Sequence, residues 1–481
     1  MGKKEVFRIH SKGYENDPET EAFELSEIDH ALPKIYSLLT LTYELDAAAD
    51  KQKIAQNLRE GLEITLSQYR SLAGELETDP VNGKVWIKRK KDSTVEYIVN
   101  DISDNDTFPS FDALDKEDFP AGKMDGDLLL PIAVTQKQPL TPLGEDKDDE
   151  TPILVAQINY IRGGIIVAAA VHHCCSDGPG TDGFFSQWAA NTKAVATSSP
   201  LPSFDASCLD RTPLISSAKP TPEWMAATQR KIRSLDHVKE PALPPADFKM
   251  PPLSQTMFHF SSSGLAALKD ATKQPDSGSW VSTYDSIMAV LWRSMTRSRL
   301  AMFKPDPQSA SHLLHAVGIR KAVSPPLPPH YLGNALLLPK PGVAIATLTA
   351  PDTLAATAAV VRQSITDYTD PQMVKDTCDW IAGTENKAWI AIRVNGFLGM
   401  DVCGTSWGTM TAYATGDFGF GLPRALRRPK PTVDGYIFMY PKRPKEDPEE
   451  GIEVCVCLES SCMERLLRDE ELARFAKPRG L

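Results

Sequence analysis

Residues 152 to 171 spell two strands around a glycine turn. Pro152 to Tyr160 reads as the first strand, Arg162-Gly163-Gly164 as a tight turn and Gly164 to Val171 as the second strand. The second contains the unbroken apolar run Ile165-Ile166-Val167-Ala168-Ala169-Ala170. A run of that length between turn signals reads as a buried strand inside a sheet. Titratable residues stand where that strand ends, in Val171-His172-His173-Cys174-Cys175-Ser176-Asp177-Gly178-Pro179-Gly180. Thr181 to Asn191 then reads as a helix with Phe184 and Trp188 on one face.

The remaining chain sorts into two stretches of α/β pattern. Ile54, Leu58 and Leu62 recur every four residues and predict a helix from 50 to about 70, with Asp50 as its cap. Alternation in Val85, Ile87, Val95, Tyr97 and Val99 predicts a β-hairpin over Lys84 to Val99. Residues 101 to 150 are acidic and turn-rich. Ten prolines between 199 and 252 predict a long connection without a packed core. Pattern resumes with a strand at Thr256 to Phe260, a short helix at Leu265 to Thr272 and a strong helix at Ser282 to Leu300. Strands follow near 313–319, 434–440 and 453–458, with helices near 351–367 and 459–475. No repeat of fixed period occurs. The expected organisation is an N-terminal unit over 1–200, a proline-rich crossover over 201–252 and a C-terminal unit over 253–481.

Composition narrows the function classes. The chain has 481 residues, a net charge of −11 and 42% hydrophobic residues, ordinary for a globular protein with an apolar core. A nucleic-acid binder would show a basic balance or a dense basic patch, and neither is present. The N-terminus lacks an apolar signal-peptide core, Val6 stands where a myristoylation motif needs Ser or Thr, and no apolar run approaches the roughly 20 residues that span a bilayer. The expectation is a cytoplasmic protein that does not engage membranes. Eight cysteines without a CxxC pair argue against a zinc ribbon and for reduced, buried thiols. Asn105-Asp106-Thr107 matches a glycosylation acceptor, taken as chance.

Three readings fit His172 and His173. Both can be hydrogen-bonded core histidines. They can ligate a metal with Asp177 and Cys174 or Cys175, although adjacent side chains on a strand point to opposite faces. Or one imidazole projects from the strand end as a general base. Gly404-Thr405-Ser406-Trp407-Gly408 spells the G-x-S-x-G elbow of serine hydrolases, but the residues after it read as strand or loop instead of the required helix. The glycines from 416 to 421 lack the ending of a P-loop.

His173, Asp177 and Gly178 form His-x-x-x-Asp-Gly. Asp417-Phe418-Gly419-Phe420-Gly421 lies well into the C-terminal half, shortly after Thr405-Ser406-Trp407. Gly318-Ile319-Arg320 and Gly333-Asn334 stand between. In this order over the whole chain, the segments resemble the BAHD-type acyl-CoA-dependent acyltransferases. The resemblance is strongest to the fungal branch typified by trichothecene 3-O-acetyltransferase, through Gln157 to Gly164, Trp280-Val281-Ser282-Thr283 and Phe438-Met439-Tyr440-Pro441-Lys442. Some positions depart from the family pattern. Phe420 replaces a tryptophan, Gly318 replaces an acid, and Leu422 stands where many relatives have Lys. His172 doubles the histidine, as in the condensation domains of peptide synthetases.

The resemblance implies two chloramphenicol-acetyltransferase-like α/β domains, mixed sheets flanked by helices, with the active-site channel between them. It implies a monomer that esterifies a hydroxyl of a fungal secondary metabolite, such as a trichothecene or related terpenoid. Acetyl-CoA would be the co-substrate, with no permanently bound cofactor, no metal and no covalent intermediate. His173 would be the base, and Thr405 and Trp407 would steady the oxyanion. Asp177, paired with Arg320, would be structural, as would Gly178, Asp417, Gly419 and Gly421. Arg424, Arg427, Arg428 and Lys430 would meet the CoA phosphates. The alternatives are a stand-alone condensation-type domain fed by a carrier protein, and an inactive binding protein on the same scaffold.

Overall fold

The computed structural model describes residues 3–131, 151–239, 248–274, 280–429 and 433–480. Two mixed sheets flanked by helices organise the α/β chain. The first runs in the order Lys3–Ile9, Val95–Asp101, Leu154–Ile161, Gly164–His172, Tyr36–Glu44 and Ala425–Arg427. Leu154–Ile161 and Gly164–His172 pair antiparallel, and Gly163 turns between them at a φ of 72°. Every residue of both strands is buried, because the sheet is covered on both faces. Helices Lys51–Gln68 and Gly178–Thr197 pack on one face. Phe108, Phe111, Phe119 and Leu129 pack on the other. The Asp50 carboxylate accepts from Lys53 N–H and starts the first of these helices.

The second sheet has seven strands: Gly342–Ala344, Ala310–His315, Val402–Ser406, Tyr436–Met439, Ile452–Glu459, Leu253–Phe260 and Lys477–Arg479. Its three neighbouring strands Ala310–His315, Val402–Ser406 and Tyr436–Met439 are parallel. Helix Thr283–Phe303 covers it, opened by a capping box between Ser282 and Asp285 and buried through Met288, Leu291 and Trp292.

Four expectations need correction. Val85–Lys90 and Val95–Asp101 are strands, but they do not pair. The first joins Thr20–Glu24 and Glu75–Thr78 in a small sheet, and the second joins the large one. Period-two alternation says that a strand has a buried face, not which strand lies beside it.

The proline-rich crossover carries structure of its own. Helix Pro222–Ile232 is capped by Thr221, with proline at its first turn, where the missing N–H costs nothing. Strand Leu235–His237 pairs with Ile390–Ile392, and Leu214, Ile232 and Leu235 are buried.

The expected helix over 459–475 is two short helices, Ser460–Leu466 and Glu470–Ala473. They are separated where Asp469 caps the second and pairs with Arg297. Finally, Ala425–Arg427, expected in the C-terminal unit, closes the edge of the first sheet against Tyr36–Glu44.

Candidate active site

The strand Gly164–His172 ends between the two histidines, and alternation separates them. His172 is buried, edge-on to Tyr36 with ring centroids 5.1 Å apart, and its Nδ1 accepts from Cys174 N–H. It is a core histidine. His173 is half-buried and donates its backbone N–H to Ile35 O at 2.8 Å. Its Nδ1 lies 3.2 Å from Asn334 Oδ1. The Asn334 Nδ2 donates to the His173 carbonyl at 2.7 Å and to Asp29 Oδ1 at 2.8 Å. With both amide protons committed, Asn334 Oδ1 is an acceptor, so His173 Nδ1 carries the proton and Nε2 keeps its lone pair.

Asp177 faces elsewhere. Its carboxylate accepts two hydrogen bonds from Arg320, at 2.8 and 2.7 Å, one from Gly180 N–H at 3.1 Å and one from Ala335 N–H at 3.0 Å. The side chain therefore caps helix Gly178–Thr197 and joins it to the segment around Arg320 and Asn334. The acid absent at Gly318 leaves no hole, since that position opens to free space.

Thr405 lies on strand Val402–Ser406, opposite Phe438 and half-buried. Trp407 follows just beyond the strand, edge-on to Phe438 and Tyr440. Trp407 and Met410 both reach the histidine-bearing loop: a Cβ at Gly178 would touch Trp407 Cδ1 at an ordinary 3.5 Å and press on Met410 Cε at 3.1 Å. Ser406 Oγ accepts from Gly408 N–H, and the next helix, Ala412–Thr415, begins only after a turn. That is not a nucleophile elbow.

The Asp417–Gly421 loop docks on the first sheet. Phe418 meets Tyr43 and Trp188, and Phe420 meets Tyr43. Asp417 accepts from Gly419 N–H, Gly421 N–H and Lys193 Nζ. Burial raises its pKa, but these donors outweigh it and leave the carboxyl below its usual range. Gly419 and Gly421, at φ of 98° and 107°, adopt backbone that favours glycine.

The basic cluster does not act as one group. Arg424 is exposed, with Glu44 3.7 Å away. Arg427 is fully buried, paired with Glu453 at 2.8 Å and donating to Phe119 O and Asp118 O. Arg428 is also buried, its guanidinium over the Phe438 ring. The phosphate-binding expectation is therefore corrected for Arg427 and Arg428, because strand Ala425–Arg427 threads into the first sheet and carries both inward. Lys430 lies outside the described residues.

Cys174 and Cys175 are buried, and that burial pushes the Cys174 thiol up to about 12 and Cys175 well above its usual value. Neither is a thiolate nucleophile. Among the described residues, no group of three or more His, Cys, Asp or Glu side chains is placed to hold a metal ion. Nor is any helix there long and apolar enough to cross a membrane.

Two residues of the site carried no sequence signal. Asp29, from the short helix Glu27–Ala31, and Arg211, from the crossover, form a buried pair behind Asn334. No spacing links positions 29, 211 and 334.

The acetyltransferase FGR3 of Gibberella zeae is 30% identical over all of this chain and 95% of that relative. Trichothecene 3-O-acetyltransferase TRI101 of Fusarium sporotrichioides is 26% identical over 93% of this chain and 94% of its own length. The crystal structure of F. graminearum TRI101 complexed with coenzyme A and T-2 mycotoxin shares the fold. Its TM-score is 0.79 at 20% identity, over 95% of this chain and 99% of that one. The model of the transferase family matches residues 14–473, and the chain belongs to that family, the BAHD acyltransferases.

Proposed function

We propose that the chain transfers an acetyl group from acetyl-CoA to a hydroxyl of a fungal secondary metabolite, with His173 as general base. The observation that carries this reading is the Asn334–His173 contact, which leaves Nε2 of a half-buried imidazole free. Nε2 takes the proton of the acceptor hydroxyl as its oxygen attacks the thioester carbonyl. The carbonyl oxygen becomes an oxyanion, for which the Thr405 hydroxyl and the Trp407 indole N–H are the proposed donors. Collapse of the tetrahedral intermediate re-forms the carbonyl and expels the CoA thiolate, which regains its proton from His173. Base catalysis of this kind contributes about 10²–10⁴-fold. A thioester is already activated, so the chemistry calls for no metal. Arg424, the exposed arginine beside the Asp417–Gly421 loop, is the proposed contact for a CoA phosphate. A trichothecene or related terpenoid alcohol is the proposed acceptor class, supported by the named relatives and by the T-2 mycotoxin beside coenzyme A in the TRI101 crystal structure. The chain is proposed to act as a monomer.

The doubled histidine favours a second reading, a condensation-type domain using a carrier-bound acyl group. The burial of His172 against Tyr36 removes it as an additional base and weakens that reading. Release of free CoA from acetyl-CoA, measured for the wild type beside His173→Ala with a panel of trichothecene and other terpenoid alcohols, tests the proposal. Acceptor-dependent release that falls by about 10²–10⁴-fold in the variant is expected. Turnover only with an acyl-loaded carrier protein would select the condensation reading. Acetyl-CoA binding without turnover in either assay would select the inactive scaffold.

A further inference from the structure

Behind the His173–Asn334 contact lies a chain of buried polar groups that reaches into the crossover. Resting on the acyl-transfer reading above, we propose that Asp29 is a positioning residue. Through Asn334 it holds His173 in the tautomer that leaves Nε2 free, and Arg211 ties this control to the crossover.

A carboxylate only accepts hydrogen bonds. Asp29 Oδ1 takes two from Asn334, from its backbone N–H at 2.8 Å and from Nδ2 at 2.8 Å. Oδ2 takes Ser26 N–H and Ser26 Oγ–H, each at 2.8 Å, and Arg211 Nη1 at 2.5 Å. Arg211 also donates Nη2 to the Cys175 carbonyl at 2.9 Å, two residues beyond His173. Asp177 and Arg320, also at this junction, are bound to one another.

The consequence follows from the two ends of an amide. Were the Asn334 carboxamide reversed, its oxygen would face the Asp29 carboxylate and the His173 carbonyl, both acceptors, and its NH₂ would face the imidazole. A negatively charged Oδ1 makes that arrangement repulsive in a site where Asp29 is fully buried. The carboxylate thus fixes the amide oxygen on Nδ1, and Nδ1 must donate. An unconstrained imidazole prefers its proton on Nε2, which would leave the wrong nitrogen basic.

Asp29 also completes the capping box of its own helix. That local duty accounts for Oδ2 and Ser26. It does not account for Oδ1, whose partners lie 305 residues away in sequence.

The test labels histidine with ¹⁵N and reads the His173 ring nitrogens by NMR, assigned by their loss in His173→Ala. The same proteins are assayed for kcat and for KM of acetyl-CoA. The wild type should show His173 protonated on Nδ1. Asp29→Asn and Asn334→Ser should both move protonation toward Nε2. Their kcat should fall about 10²-fold, with KM for acetyl-CoA within about twofold, and the double variant should be no worse than either single one. Ser26→Ala, which removes a cap but spares Oδ1, should keep the wild-type tautomer. Asn334→Ser keeps the Asp29–Arg211 pair and reads the same link from its other end if Asp29→Asn does not fold. Folded variants that retain the Nδ1–H tautomer would overturn the proposal. A wild type with the expected tautomer but no turnover would instead sink the acyl-transfer reading.

Discussion

His30 and His315 are imidazoles that the fold keeps neutral. Burial is the main cause in both, and it lowers each pKa from 6.5 to about 3. Nearby Lys387, Lys84, Lys34 and Arg211 add to the effect at His30. His315 satisfies both ring nitrogens without a charge, through Tyr284 Oη and Ser364 Oγ, each at 3.0 Å. Between pH 6.5 and about 3 the unfolded chain binds these protons and the folded chain does not. Folding stability is therefore intact above pH 6.5 and falls as the pH drops through that window. Each imidazole contributes a slope of about 1.4 kcal/mol per pH unit. Glu27 and Asp182, whose carboxyls burial pushes up, act in the opposite sense. The clean measurement is thus a difference. From about pH 6 to 5, urea unfolding of the wild type should lose stability faster than His315→Gln by about 1.4 kcal/mol per pH unit. Equal slopes would show that His315 is not held neutral by the fold.

Helices Lys51–Gln68 and Gly178–Thr197 cross over the first sheet, and the second of them starts at Asp177. Their approach depends on Gly61. A Cβ there would fall 2.1 Å from Thr192 Oγ1 and 2.7 Å from Thr192 Cα, and backbone cannot step aside as a flexible side chain can. Gly61→Ala should destabilise the protein by about 1–3 kcal/mol or more through overpacking. Because the helix carrying Asp177 must move, kcat should fall as well. A variant with unchanged midpoint in urea would mean that the crossing is looser than these distances require. The helix over 50 to 68, its Asp50 cap and the 154–172 hairpin were all legible in the sequence, because each depends on residues close together in the chain. Legibility fails at Val85–Lys90 and Val95–Asp101, where alternation marks two strands but does not name their partners. It fails again in the crossover, where Thr221 and Pro222 form a helix start that the surrounding prolines obscure.

At the scale of the whole molecule, strand Ala425–Arg427 joins the C-terminal half of the chain to the first sheet. Arg427 accompanies it into the interior, where Glu453 of the second sheet meets it at 2.8 Å. Glu453 also pairs with Arg479 at 2.9 Å. Burial raises the Glu453 pKa, but Arg427, Arg443 and Arg479 outweigh it and leave the carboxyl below its usual value. Removing that charge leaves a buried guanidinium uncompensated. Glu453→Gln should cost about 3–5 kcal/mol, with the KM for acyl-CoA unchanged. Arg424→Ala should do the reverse, raising that KM while the melting temperature stays within about a degree, as expected for an exposed charge. Equal effects of both variants on KM would return Arg427 to the phosphate-binding role.

Family membership, the position of the candidate base at a buried strand end, and the elements whose signals are local can all be read along the chain. These are short-range matters of periodicity, capping and motif spacing. Which strands lie side by side, which arginines remain in solvent, and what stands behind His173 depend on long-range packing. Arg424 and Arg427 are three residues apart and of one chemical type, yet one is exposed and the other fully buried. Asp29, Arg211 and Asn334 meet only because two sheets and a crossover close around them, and no pattern along the chain encodes a contact made across that distance.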